Sequence, residues 1–553
     1  MTPPGKTSIK HILSPLFLGS AVLLTACSEQ APTPPSAQTP IAEAVEIATA
    51  SAAPSLGVRP NGDTELEIDM SEIHSPELRE VFDHIDSNID QHVVNLQRWI
   101  QQPSISNTGE GIQESAYMVE GFFDQLGCQE TQVYDVGITE WGQQGNPVVY
   151  ANCDEGAEKT VIVYWMYDTM PVTQPDLWTS PPFEARIVEQ PPFDKVIIGR
   201  GANNSKGRQM AFWNAMMSIK EVTGKLPVNL IFVAEGDEER MSIGYRKFVR
   251  DHPELFAGAD IMWGGGSSEG CVFVELITSG ESWGRGPTYS NIHGGRKRAV
   301  DAPAWRHIQM LSTLVDETGN RVMIDGFYDD IEPLTPEEEQ ILVEAAEGYD
   351  VEVAAERLGV ARFISDDPLD VVTMSRYGTS MNLDGIWGGN MFEGGSGAIL
   401  PNRIVSKHNF RYVPNQDGLD IVDKLRAHLD KHGYEDVEIN IVGDVPWAKM
   451  DDDNDMARAA DRMRTAFGVG VDDPVLEPTI LGGYWPAYLF TGDVMDIPIA
   501  NGQVGGGGGS HAANEYFVVE GAGNTYGMAG MEKSIATTIY NYAGVNEPDS
   551  ASD

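Results

Sequence analysis

From about Ser75 the chain alternates between two hydrophobic rhythms. The stretch IDSNIDQHVVNLQRWIQ and the region around YMVEGFFDQL space their apolar residues as helices do. VIVYW, NLIFVAE and ADIMW are short apolar runs bounded by turn signals, the pattern of strands buried on both faces. This alternation predicts an α/β fold with a mostly parallel central sheet. Polar residues just past the ends of such strands stand where α/β sheets bind ligands. A change comes near residue 275. VFVELIT, DVVTMSRY, IVSKHNFRYV and VEINIVG read as strands, and PAWRHIQMLSTLVD and LDIVDKLRAHLDKHG as helices. They predict a second, α+β unit inserted into the first, over 275–445, between the two parts 75–274 and 446–545. An acidic helical segment from Thr335 to Arg357 fits as a local excursion within the insert. No internal repeat is evident.

The segment before Ser75 has another character. Lys6 and Lys10 precede an apolar run from Ile12 to Leu24 that ends in LLTAC. The run is short for a membrane span and has the shape of a signal peptide. LLTAC resembles a bacterial lipobox. Residues 1–27 are therefore expected to be a lipoprotein signal, with Cys27 lipidated; a plain secretory signal is the alternative. Residues 28–74 are expected to be a flexible linker, since the stretch to about residue 65 is rich in Pro, Ala, Ser and Thr. A periplasmic or cell-envelope protein follows, meeting the membrane through its lipid anchor only. In that oxidising compartment Cys128 and Cys153 either form a disulfide or remain buried thiols, and Cys271 has no evident partner.

Composition narrows the functions open to the chain. Its 553 residues are enough for two or more domains with large cores. The 83 acidic against 37 basic residues give a formal charge of −46. Nucleic-acid binding is excluded on that balance, because phosphate needs a basic footprint.

Four segments carry candidate chemistry: MYDTMP, GRGANNSKG, AEGDEERMS and GGGGGSHAANEY. Each sets acids, amides or a histidine after a buried run or among glycines. Oxygen and imidazole groups held on rigid strand ends are what a zinc-type site requires. GRGANNSKG is not a phosphate loop, since it lacks the Gly-Lys-Ser/Thr ending.

In this order the four segments resemble the co-catalytic zinc peptidases of the aminoacylase, carnosinase and glutamate-carboxypeptidase type, metallopeptidase family twenty. The resemblance runs from about residue 85 to 545. It takes in NIHGGRKRAVDAPAW and FRYVPNQD, which look like that family's lid motifs. It implies a zinc-peptidase-like catalytic domain and an inserted lid that dimerises. It also implies two metals bridged by an aspartate and a water. Carried over residue by residue, Asp168 orients the first metal-binding histidine, but that histidine's position holds Met166. The bridging aspartate falls on Asn204. The catalytic glutamate and the next ligand are Glu238 and Glu239. A further aspartate ligand is missing, Gly265 and Gly266 standing near its place with Glu269 as the nearest acid. His511 is the last ligand. On the substrate side, His293 matches the lid histidine and Arg411 the residue that holds the substrate carboxylate. Asn382 and Tyr484 join them as substrate-binding candidates, and Tyr484 and Trp485 make one wall bulky and aromatic.

The resemblance thus implies a homodimeric hydrolase of dipeptides or N-acyl amino acids. At most one zinc ion is expected, through Glu239, His511 and Asn204, with Glu238 as the general base. The competing expectation is an inactive or metal-independent member that binds a small carboxylate in the same cleft.

Overall fold

The computed structural model describes residues 55–450, 453–469, 483–492 and 494–547. A six-stranded sheet runs in the order Ile499–Ala500, Ile261–Trp263, Thr160–Met166, Asn229–Glu235, Val148–Cys153, Glu130–Tyr134. The first four strands are mutually parallel and the last two join antiparallel. The expected α/β fold with a mostly parallel sheet is the one observed. Val161, Val163, Leu230 and Phe232 are buried in the sheet's interior, as their unbroken apolar runs require.

Helices Pro76–Gln101, Gly207–Thr223 and Met528–Tyr542 pack against one another beside this sheet. The first begins on a Ser75 side chain that accepts from the Leu78 amide at 3.3 Å, with proline in the first turn. At its other end the Lys206 ammonium donates to the carbonyls of Trp99 (3.1 Å) and Gln102 (2.9 Å). A cation suits the negative pole of a helix. Burial nevertheless pulls Lys206 down to about 7. Because Lys206 follows Asn204 by two residues, this contact ties the ANNSK turn to the helix. The helix Met528–Tyr542 is buried along its whole length. Its one interior acid, Glu532, is answered by His92 Nδ1 at 2.7 Å and Asn214 Nδ2 at 2.9 Å. Cys128 and Cys153 form a disulfide that joins the start of the edge strand to the end of its neighbour, and Cys271 is a buried free thiol.

The insert is a four-stranded antiparallel sheet, ordered Ser380–Trp387, Arg403–Tyr412, Gly270–Ser279, Glu438–Val445. Helices Pro303–Leu314 and Gly418–Lys431 contribute Met310, Leu314, Ile421 and Leu425 to its core. A chain of short bonds crosses this lid. Thr278 Oγ1 meets His307 Nδ1 at 2.8 Å, His307 Nε2 meets Ser406 Oγ at 2.9 Å, and Ser406 Oγ meets His408 Nε2 at 2.8 Å.

Three expectations need correction. DVVTMSRY is not a strand but most of a helix, Pro368–Tyr377. The Asp367 carboxylate accepts from the Leu369 amide at 2.9 Å and Pro368 opens the first turn, so a cap outweighs the strand preference of two adjacent valines. The acidic helix is two helices, Pro336–Glu347 and Val351–Leu358, broken at Gly348 and restarted by the Asp350 cap. The linker expected over 28–74 is not a linker from residue 55 onward. Asp90 accepts from the amides of Leu56 (2.8 Å) and Val58 (2.9 Å), Asp63–Thr64 pairs in parallel with Ala522–Gly523, and Ile73 is buried. Residues 1–54, with the expected signal and Cys27, lie outside the described residues.

Burial lowers His307 and His408 to about 4. An unfolded histidine titrates near 6.5, so between about 4 and 6.5 the unfolded chain binds more protons. The stability these residues contribute is present above about 6.5 and is lost as pH falls through about 4. Thermal melts of the parent and His307→Leu at several pH values are expected to differ most at pH 7 and to converge toward pH 4. A gap that stays constant contradicts this assignment.

Candidate active site

The candidate residues gather where the parallel strands end. Strand Thr160–Met166 leads into Asp168, strand Asn229–Glu235 into Glu238 and Glu239, and strand Ile261–Trp263 into Gly264 and Gly265. Asp168 is fully buried and accepts from the backbone amides of Glu238 (3.3 Å) and Glu239 (3.1 Å). It is a positioning residue that clamps the turn carrying the two glutamates. Burial, and then Glu239 and Asp237, hold its carboxyl well above the usual range. Glu238 is raised well above its ordinary value too, by burial first and then by Glu239 and Asp168.

Asn204 lies between Glu239 and His511. Its Nδ2 is 3.0 Å from Glu239 Oε1 and 3.0 Å from His511 Nε2. His511 Nε2 and Glu239 Oε1 are themselves 3.1 Å apart. The three atoms form a nearly equilateral triangle. The Glu239 hydrogen bond raises His511 above its ordinary value, against the effect of burial. The Asn204 amide donates to Glu239; His511 Nε2 donates to Glu239 when it carries a proton and accepts from Asn204 when it does not.

Corners of a zinc tetrahedron with bonds of about 2.0–2.1 Å stand roughly 3.3 Å apart. Glu239 and His511, at 3.1 Å, are close enough to share one ion, though here they contact each other directly. The Asn204 side chain, turned to present its oxygen, would be the third donor. The other metal position has no such set. Met166 is 5% exposed at the strand end. The Trp485 indole donates to the Gly266 carbonyl at 3.0 Å and lies against Gly265, where an added Cβ would sit 3.2 Å from the ring. Beside Gly264 an added Cβ would come within 2.6 Å of the Met262 sulfur. Among the described residues no group of three or more His, Cys, Asp or Glu side chains is placed to hold a metal. The residues present do not fit a two-metal centre.

Glu269 is not a metal ligand: it pairs with Arg411 at 2.9 Å. Arg411 also donates from Nε to Asn409 Oδ1 at 3.2 Å, and its guanidinium lies 4.5 Å from the centre of the Tyr484 ring. Asn382 reaches Arg411 indirectly. It donates to Asp384 Oδ1 at 2.9 Å, and the same oxygen accepts from Asn409 at 2.7 Å. His293 is not brought to the site within one chain. It lies exposed in the lid, where its Nδ1 accepts from the Gly295 amide at 3.1 Å.

Two functional supports escaped the sequence-based assignment. Glu515 accepts from the amides of Gly201 (3.1 Å), Asn203 (2.9 Å) and Asn204 (2.8 Å), and pairs with buried Arg200 at 2.8 Å. It therefore holds the loop that presents Asn204. Its only signal was its place four residues after His511. Glu235 is fully buried, accepting from Tyr164 Oη at 2.6 Å and Ser242 Oγ at 2.9 Å. It reads as the last residue of a strand, with nothing to mark it.

Two cavities flank the glutamates. One of about 310 Å3 is bounded by Met166, Glu238, Gly265 and Trp485. The other, of about 600 Å3, lies between Glu239, Arg240 and the lid residues Phe273 and Lys407. Tyr484 borders both.

With this geometry in place, the comparisons with known proteins are informative. The model of peptidase family M20/M25/M40 matches residues 166–526. A Cys-Gly metallodipeptidase of Candida albicans is 26% identical over 479 residues, covering 79% of this chain and 93% of the relative. A Beta-Ala-His dipeptidase of Rattus norvegicus is 27% identical over 436 residues, covering 73% and 85%. The crystal structure of an M20 family metallo-carboxypeptidase from Sulfolobus solfataricus superposes with a TM-score of 0.67 at 26% identity, covering 82% of this chain and 99% of that one.

The Asn204 triangle yields a direct test. Asn204→Asp replaces a donor by a carboxylate about 3.0 Å from Glu239. In chelator the variant is expected to be less stable than the parent by roughly 1–3 kcal/mol, the cost of leaving a buried polar group without its partner. Added zinc is expected to raise its melting temperature more than the parent's. Equal melting of the two proteins in chelator contradicts the role given to the amide.

Proposed function

The chain belongs to peptidase family M20/M25/M40, and from that premise we propose that it hydrolyses the amide bond of small substrates ending in a free carboxylate, dipeptides or N-acyl amino acids, with at most one metal ion. The observation that carries this is the grouping of Glu238, Glu239 and His511 at the strand ends with Arg411 stacked on Tyr484 beside them. On this reading Glu238 is the base, Glu239 and His511 the metal-binding pair, and Arg411 the carboxylate clamp.

Glu239, His511 and Asn204 are the residues that would hold one zinc ion. What a bound zinc supplies in such a setting is polarisation of the scissile carbonyl and acidification of a water. Glu238 takes a proton from the attacking water and returns it to the leaving nitrogen. Burial and the neighbouring Glu239 and Asp168 raise its affinity for protons. Asp168 keeps the backbone of both glutamates fixed through its two amide contacts. Arg411 holds the substrate carboxylate, and to do so it exchanges or shares its partner Glu269. His293 serves the carbonyl oxygen from the lid of a second subunit, since within one chain it lies outside the cleft.

Glu238→Gln keeps shape and removes the proton acceptor. It is expected to lower kcat by about 10²–10⁴ with an unchanged circular dichroism spectrum. A rate within twofold of the parent on a dipeptide and N-acyl amino acid panel contradicts the assignment. A folded parent that hydrolyses none of that panel but binds its carboxylates favours the binding-only alternative.

The envelope location and the dimer are part of the same proposal. LLTAC motivates lipidation of Cys27, and the exposed His293 motivates a dimer. The Cys27→Ser protein is expected in the soluble periplasmic fraction and at dimer mass by light scattering. Membrane fractionation like the parent's contradicts the anchor, and a monomer at micromolar concentration contradicts the shared histidine.

A further inference from the structure

Among the described residues lining the cavity of about 310 Å3 beside Met166, Arg208 and Glu238 alone carry charge. Arg208 makes no hydrogen bond or ion pair among the described residues. The protein packed around it lowers its affinity for protons, and no carboxylate stands near enough to restore it. Arg411 differs, since Glu269 pairs with it at 2.9 Å. The chain carries 83 acidic and 37 basic residues, so acids to pair with are plentiful, yet none reaches this guanidinium.

The fold fixes where that charge stands. Arg208 is the second residue of the helix Gly207–Thr223, so the positive pole of the helix adds to it. Its guanidinium lies against the glycine-rich loop: a Cβ added to Gly506 would sit 3.5 Å from Arg208 Nη2. Two amides belong to the same wall. Asn501 directly follows the strand Ile499–Ala500, at the end of the parallel sheet where α/β folds bind ligands. Gln503 is two residues further on, and both line the cavity. Neither side chain has a hydrogen-bond partner among the described residues, and neither is fully buried. Three partnerless polar side chains, one of them cationic, thus border one space. A guanidinium fork matches a carboxylate with two parallel bonds, and side-chain amides add neutral donors.

We propose that Arg208, Asn501 and Gln503 form a subsite for a carboxylate of the substrate, separate from the carboxylate held at Arg411. The proposal rests on the hydrolase function above and narrows its substrate class to dipeptides with an acidic side chain. Phe212, Trp263 and Trp485, also in the wall, give apolar surface to the short methylene stem that carries the carboxylate.

The test uses the dipeptides Glu-Gly and Gly-Glu with their uncharged counterparts Gln-Gly and Gly-Gln, matched in size. Calorimetry on the Glu238→Gln protein reads affinity without turnover, and each further variant is made on that background. At least one acidic dipeptide is expected to bind about tenfold more tightly than its amide counterpart, from a charge-assisted hydrogen bond. Arg208→Gln is expected to bring that ratio to about one, and Arg208→Lys to keep part of it. Asn501→Ala leaves the guanidinium in place and is expected to lower the ratio about threefold. It carries the test if Arg208→Gln does not fold. Ratios near one for both pairs overturn the subsite, as does no binding of any of the four at millimolar concentration. A preference that survives Arg208→Gln unchanged, or Asn501→Ala where that variant carries the test, overturns it too. Turnover by the parent separates the two claims. Hydrolysis without the acidic preference leaves the hydrolase function standing and removes the subsite. Arg208-dependent binding with no hydrolysis of any of the four keeps the subsite and removes the hydrolase function.

Discussion

Five carboxyl groups, those of Asp168, Glu235, Asp237, Glu238 and Glu239, crowd the ends of two neighbouring parallel strands, and the site depends on how their charge is answered. Burial raises Asp168, Glu235, Asp237 and Glu238 above their ordinary values. Taking so many acids out of water is affordable only with partners in place. Backbone amides answer Asp168, Tyr164 and Ser242 answer Glu235, and Arg240 pairs with Asp237 at 2.9 Å. Glu239 is answered by Asn204 and His511. An aspartate at 204 would add a sixth acid and call for a cation. The asparagine supplies a donor to Glu239 in its place.

Met166 and Gly265 stand at strand ends and Asn204 in the turn Ala202–Lys206. Met166, Asn204 and Gly265 are each neutral where the resemblance implies a ligand, and Trp485 packs onto the glycine and hydrogen-bonds the next carbonyl. Charge has been exchanged for aromatic surface on one side of Glu238. The other side keeps the Glu239–His511 spacing and the Arg411–Tyr484 stack.

Much of this was legible in the sequence because it is local. Buried strands, the polar residues after them and the order of the four motifs all lie within short windows. The mixed α/β fold and the peptidase family follow from them. What was not legible depends on distant partners. Glu515 acts on Asn204 across 311 residues, and Arg59 meets Glu520 across 461. The segment from residue 55 resembles a linker by composition, yet Asp90 and a strand pairing near residue 522 hold it. Glu269 is the acid nearest a missing ligand position, and only the fold reveals its partner Arg411. The helix at Pro368 was misread because its two adjacent valines favour a strand, whereas Asp367 and Pro368 set a helix start.

The proposed function has the site hold at most one metal ion, at Glu239 and His511, with Met166 and Trp485 bounding a cavity beside it. Anomalous diffraction at the zinc edge, from crystals grown with excess zinc, tests it most directly. The account predicts at most one anomalous peak per chain, beside Glu239 and His511, and none between Met166 and Trp485. Two peaks of full occupancy, one of them in the Met166 cavity, would contradict it.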